Sequence, residues 1–274
     1  MLKIRSIATF FSDQVCQSLV LICAVAAFSS ANFAIAESTA TKENSSKPEN
    51  ETSQPKATEK VLRHAVFFKF KDTATDKDVD GVVDAFRALP SKLDVIKDFK
   101  AGKNNSRVGM DDGFTHCFLL TFQDEAGRAV YLPHDDHKAF GAILRPHLDK
   151  VFVIDYWGTP HEQPKGDEIT NMAFIKFKDT ASAADIRRFE EAFLALPFKI
   201  DAIKSIEWGK NNSPEKHDDG FTHALTVTFD SEADLDKYAS HPEHQAFIQN
   251  IASSVEKVRI LHFLSKKGEA TGTR

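Results

Sequence analysis

The sequence predicts an α+β protein: two tandem ferredoxin-like β-α-β-β-α-β domains whose sheets face each other and close one α/β barrel within a single chain. Three observations predict it. First, one stretch is written twice without insertion or deletion, so that Gly102 and Gly209, His116 and His223, and His137 and His244 each lie 107 positions apart. That period is too long for a solenoid, whose repeats run roughly 20–50 residues, and fits two copies of one domain. Second, within each copy, period-two apolar strands and period-3.6 apolar stripes alternate in the order β-α-β-β-α-β. Third, the strands carry apolar residues on both faces. Helices cover only one face of such a sheet, and a second identical domain can cover the other.

The chain opens with Lys3 and Arg5, then an uncharged apolar run from Leu19 to Phe28, small residues, and Ala34-Ile35-Ala36. This positive, apolar, A-x-A order reads as a signal peptide over residues 1–36, cut before Glu37, and implies a secreted or periplasmic protein. The run is about half the roughly 20 residues a membrane-crossing helix needs, so no membrane association is expected after cleavage. Retention as an uncleaved anchor is the alternative, because Asp13 interrupts the charged region. Cys23 follows Ile22, a poor fit for the small residue that precedes a lipidated cysteine. With Cys16 and Cys23 removed, Cys117 stands alone, so no intramolecular disulfide forms and stability must come from the core. Cys117 falls inside a strand, opposite Ala224 in the other copy, and reads as a small core residue.

Residues 37–60 are Ser, Thr, Lys, Glu, Asn and Pro with almost nothing apolar, a composition too poor in burial to offset its ordering entropy. They read as a disordered tether. Asn44, Asn50, Asn104 and Asn211 each open an N-x-S/T triplet. The formal net charge of −5, with both signs interspersed, offers no basic face for nucleic acid.

Domain one spans 61–158, a linker 159–167, domain two 168–265 and a polar tail 266–274. In the strand from Leu62 to Lys71, His64, Val66, Phe68 and Phe70 share one face, while Ala65, Phe67, Lys69 and Lys71 share the other. Thr75 and Asp78 form an N-cap and its third-residue partner, repeated as Ser182 and Asp185. Val79, Val82, Val83, Phe86 and Leu89 make the stripe of the following helix, matched by Ile186, Phe189, Phe193 and Leu196; Pro90 and Pro197 close these helices. A strand over Ile96–Lys103, an Asn-rich loop and the Phe114-Thr115-His116 strand follow. Phe114, His116, Phe118, Leu120 and Phe122 take one of its faces. Helical segments at Glu125–Leu132 and His137–Leu148 precede a last strand, Val151–Trp157.

Taken together, His-x-Val-x-Phe-Lys-Phe-Lys, Gly-Lys-Asn-x-Ser, Gly-Phe-Thr-His and Tyr-x-x-His-x-x-His-x-x-Phe resemble the stress-responsive dimeric α/β-barrel domain family. The resemblance covers 61–158 and again 168–265. It implies a barrel made of two such domains, here an intramolecular pseudo-dimer and therefore a monomeric chain. Most members have no assigned reaction, but the resemblance extends to plant polyketide cyclases that use a Tyr and two His in a pocket between sheet and helices. Those motifs fall on His64, Tyr131 and His137, with His116 in the same cavity. In that resemblance His137 removes a proton α to a carbonyl, Tyr131 hydrogen-bonds the oxygen where charge develops, and His64 orients the substrate.

Two readings stay open. One is a binding or protective module with a small apolar or phenolic ligand, or none, the candidate binding residues being His116, Phe68 and Phe118, with His223, Tyr238 and His244 in the second copy. The other is a cyclase or isomerase acting through His137 and Tyr131. A monooxygenase rests on fold analogy alone. A histidine on an apolar strand face also serves as a hydrogen-bonded core residue, and Phe68, Phe99 and Phe118 are bulky enough to fill a pocket. No cofactor is implied, and no metal: His134-x-x-His137 has no carboxylate beside it that recurs in both copies. The copies differ in two ways. Asn171 replaces the first-strand histidine, and His241-Pro242-Glu243-His244 becomes His134-Asp135-Asp136-His137, with the proline moved to Pro133. Repeat one is the better candidate.

Overall fold

A computed structural model describes residues 60–160 and 166–266. The signal peptide expected over residues 1–36, residues 37–59 of the expected tether, 161–165 of the linker and 267–274 of the tail lie outside the described residues, and so do the readings made for them.

Repeat one consists of β1 (Val61–Phe70), α1 (Asp76–Arg87), β2 (Ile96–Lys103), β3 (His116–Phe122), α2 (Glu125–Tyr131), α3 (Asp135–Leu144) and β4 (Leu148–Gly158). Repeat two matches it with β5 (Glu168–Phe177), α4 (Ala183–Leu194), β6 (Ser205–Lys210), β7 (His223–Phe229), α5 (Glu232–Ser240), α6 (Pro242–Ile251) and β8 (Val255–Ser265). Each sheet is antiparallel, in the orders β2-β3-β1-β4 and β6-β7-β5-β8.

Local chemistry starts the helices where expected. The Thr75 hydroxyl accepts the Asp78 N–H while the Asp78 carboxylate accepts the Thr75 N–H, and Ser182 and Asp185 repeat the reciprocal cap. The second helical region departs from expectation. Helix α3 begins at Asp135 rather than His137, because His134 Nδ1 accepts the Asp136 N–H and caps it. It ends at Leu144, just before Pro146, whose ring and missing N–H stop a helix, and β4 then starts at Leu148 rather than Val151.

The two-residue period of β1 separates the cores. Val66, Phe68 and Phe70 pack beneath the helices with Val82, Phe86, Phe118 and Phe140. Ala65 and Phe67 point the other way, into a core shared by both sheets with Cys117, Phe152, Phe174, Ala224 and Phe263. Fully burying a phenylalanine stabilises by roughly 1.5–3 kcal/mol, so this shared layer holds the halves together. Burial pushes the Cys117 thiol well above its ordinary range, as befits a core residue.

The sheet edges meet in two equivalent seams. At one, the Asn105 N–H donates to His262 O at 2.8 Å and the Ile260 N–H to Met110 O at 2.9 Å; at the other, the Asn212 and Val153 N–H groups donate to Asp155 O and His217 O, both at 2.9 Å. The motif Gly-Lys-Asn-x-Ser builds these seams. A Cβ on Gly102 would lie 2.8 Å from Leu264 O, and one on Gly209 would lie 2.7 Å from Tyr156 Cβ. Asn104 Oδ1 accepts N–H groups of Ser106 and His262, while Asn211 Oδ1 accepts those of Ser213 and Asp155. Among the described residues no helix is long and apolar enough to cross a membrane.

Candidate functional site

Between the sheet of repeat one and its helices lies a cavity of about 240 Å³. Its walls include His64, Val66 and Phe68 of β1, Phe86 of α1, Tyr131 at the end of α2, His137 and Phe140 of α3, and Glu215 and His217 from a loop of repeat two. The alternation of β1 turns His64 toward the helices, and the α2–α3 turn sets the Tyr131 and His137 rings 4.2 Å apart. His64 and Tyr131 stand edge to face at 5.7 Å. Three of the residues singled out from the sequence therefore converge.

Each is tuned differently. Burial disfavours a charge on His64, but Asp155, 2.7 Å from its Nδ1, outweighs this with help from Glu215 and raises the pKa above the ordinary value near 6.5. Asp155 is also buried, which opposes ionisation, yet His64 and Arg128 hold its carboxyl below the usual range. Arg128 donates to Asp155 Oδ2 at 2.6 Å and to the Asn212 side chain at 2.9 Å. His64 thus faces a carboxylate that favours its protonated form. His137 goes the other way: burial lowers its pKa, only partly offset by the Leu132 carbonyl 3.0 Å from Nδ1. Because that carbonyl requires Nδ1 to donate, Nε2 keeps its lone pair. The buried Tyr131 hydroxyl has no hydrogen-bond partner among the described residues, and burial pushes its pKa well up. The arrangement offers one base whose neutral form is favoured, one free hydroxyl and one imidazole whose protonated form is favoured.

The other expected residues are placed elsewhere. His116 shares the helix-facing side with His64, but in the register it pairs with Phe68 whereas His64 pairs with Leu120, so it lies further along the strands. It does not line the cavity, correcting the expectation that it would: Thr115 Oγ1 meets its Nδ1 at 2.9 Å and Phe70 packs edge-on at 5.1 Å. His223 likewise stacks on Trp208 at 4.9 Å. Burial lowers both to about 4. Phe68 lines the cavity, while Phe118 packs behind it against Phe86 at 4.6 Å; the phenylalanines form a floor and do not fill the space. His134 is a helix cap.

In repeat two the Tyr238 and His244 rings also pair, at 4.0 Å, so Pro133 shortens α2 without disturbing the contact. His244 is lowered to about 4 by burial. Its surroundings differ. Asn171 stands for His64, Leu235 for Arg128, His262 for Asp155 and Val108 for Glu215. Sequence reading missed Arg128, Asp155 and Glu215 because it followed what the copies share; the signal lay in where they diverge.

The comparisons with known proteins agree with this architecture. The chain is 32% identical over 95 residues to the stress-response A/B barrel domain-containing protein HS1 of Arabidopsis thaliana, covering 35% of this chain and 87% of that one. It is 30% identical over 99 residues to olivetolic acid cyclase of Cannabis sativa, covering 36% of this chain and 98% of the cyclase. A solved candidate monooxygenase from Lactobacillus acidophilus superposes with a TM-score of 0.51 over 77% of this chain and 98% of its own, at 11% identity, a likeness of fold alone. With the family's model matching residues 62–158 and again 169–264, the chain belongs to the stress-responsive A/B barrel domain family and carries two copies of it.

Proposed function

We propose that repeat one binds a small apolar or phenolic ligand and performs proton transfer on it, in the manner of a cyclase or isomerase. The cavity on which His64, Tyr131 and His137 converge carries this reading. Its volume of about 240 Å³ falls below the roughly 300–1,000 Å³ of drug-sized pockets and restricts it to a small, single-ring ligand. Similarity to olivetolic acid cyclase supports the chemistry. His137 Nε2 takes a proton from the carbon α to a carbonyl. The electron pair moves onto the carbonyl oxygen, where the Tyr131 hydroxyl donates and the His64 cation lowers the energy of the developing charge. The enolate carbon then attacks a second carbonyl, whose π electron pair moves onto its oxygen and takes the proton back from His137, or His137 returns the proton at a different carbon.

The test is a panel of phenolic and polyketide-like compounds screened for binding and turnover. His137→Ala should lower the rate by about 10²–10⁴-fold, the usual general-base contribution. Saturable binding without turnover would leave a binding module; no binding to the wild type would reject the pocket. We also propose that the protein is exported, supported by the charged, apolar and A-x-A order of its first 36 residues. Intact-mass analysis of the native protein should then find Glu37 at its N-terminus.

A further inference from the structure

The two halves share a fold but not their charges, and the differences fall where they face each other. Arg63 of β1 reaches Glu207 of β6 at 2.8 Å, both side chains being buried. Lys100 of β2 reaches Glu168 of β5 at 2.6 Å, again in the interior. Arg259 of β8 bonds Asp112 of repeat one at 2.5 Å and Asp219 of repeat two at 2.9 Å, and lies over the rings of Phe114, Phe152 and Phe221. None of these contacts has a mirror image. In the other copy Arg63 is matched by Thr170, Lys100 by Glu207, Glu168 by Val61 and Arg259 by Phe152.

The backbone seams are equivalent, so they would accept any pairing of two such domains. The side chains would not. Two copies of repeat one, paired through this surface, would set Arg63 against Lys100 of the other copy, twice over, and leave both Asp112 carboxylates without an arginine. Two copies of repeat two would set Glu207 against Glu168, twice, and bring two Arg259 side chains to the place one now fills. Lys204 of repeat two reaches Glu168 at 3.4 Å from a half-exposed position, which softens the acidic clash without removing it. Like charges juxtaposed away from water oppose association strongly, whereas the unlike pairing sets each of these charges beside an opposite one.

We propose that Arg63, Lys100, Glu168, Glu207 and Arg259 form a pairing code: this surface fits the opposite repeat and rejects a second copy of its own. The repeats would then be dedicated halves that no longer form the symmetric pairs their backbones permit.

The test uses the full chain with a protease site placed within residues 161–165. The chain is folded intact, nicked, unfolded and refolded, and native mass spectrometry counts the three possible pairs. Unlike pairs should exceed the statistical half by a wide margin, with like pairs suppressed at least about tenfold, the ratio set by 1.4 kcal/mol. A second variant combines Arg63→Glu with Glu207→Arg. The native pairing keeps one acid opposite one base, but the acid now at position 63 faces Lys100 in one like pair and the arginine now at 207 faces Glu168 in the other. Like pairs should therefore rise toward the statistical half. A statistical mixture from the unsubstituted chain would overturn the code, as would an unchanged distribution in the exchanged variant or halves that fail to reassemble once nicked. Should the exchanged variant not fold, the count on the unsubstituted chain decides alone.

Discussion

His64 and Tyr131 illustrate how one buried site holds two groups in opposite conditions. Asp155 touches His64 and favours its charged form; Tyr131 keeps a buried hydroxyl with nothing to bond among the described residues. Each makes a prediction. The folded pKa of His64 is raised, so its contribution to stability is fully present below its ordinary value near 6.5 and is lost as pH rises through the folded value. Urea unfolding across that window should show the wild type losing stability relative to His64→Asn, whose amide cannot titrate there. Parallel curves would contradict the ion pair. For Tyr131, deleting the hydroxyl removes an unsatisfied buried group, which costs about 1–3 kcal/mol when left unmade. Tyr131→Phe should thus keep or raise the melting temperature while weakening turnover or phenol binding. A residue serving only packing and hydrogen bonding would show the reverse.

Among the elements, β2 and β6 have a special burden, since each is a sheet edge that the other repeat must approach closely. Gly209 permits this: a Cβ there would meet Tyr156 Cβ at 2.7 Å. Gly209→Ala should destabilise by about 1–3 kcal/mol, as overpacking does, and chemical denaturation would measure it. An unchanged midpoint would show that the seam can yield. These elements were legible in the sequence, because alternation in β1 and β3 and the repeated caps Thr75–Asp78 and Ser182–Asp185 are local signals. The α2–α3 turn was less so, since whether His134 caps a helix depends on one side-chain hydrogen bond. His116 shows the limit of periodicity: phase gives the face, but the distance along a strand decides which pocket a residue reaches. Asp155, Arg128 and Glu215 were hidden for a different reason. Each gains its meaning only from folding, when a β4 carboxylate, an α2 guanidinium and a loop of the other repeat meet around His64.

At the scale of the whole molecule, a shared core and two seams join the two repeats. The chain supplies both partners, so the protein should scatter light as a monomer; an obligate dimer in which each half pairs with another chain would contradict this. One molecule then holds two sites of unequal equipment. Both have a Tyr–His pair, but only repeat one adds His64, Asp155, Arg128 and the carboxylate of Glu215, reaching across from repeat two. Parallel turnover assays on the phenolic and polyketide-like panel, using the wild type, His137→Ala and His244→Ala, measure this inequality directly. A loss of about 10²–10⁴-fold for His137→Ala with near-normal rates for His244→Ala is the predicted result; equal losses from the two substitutions would contradict it.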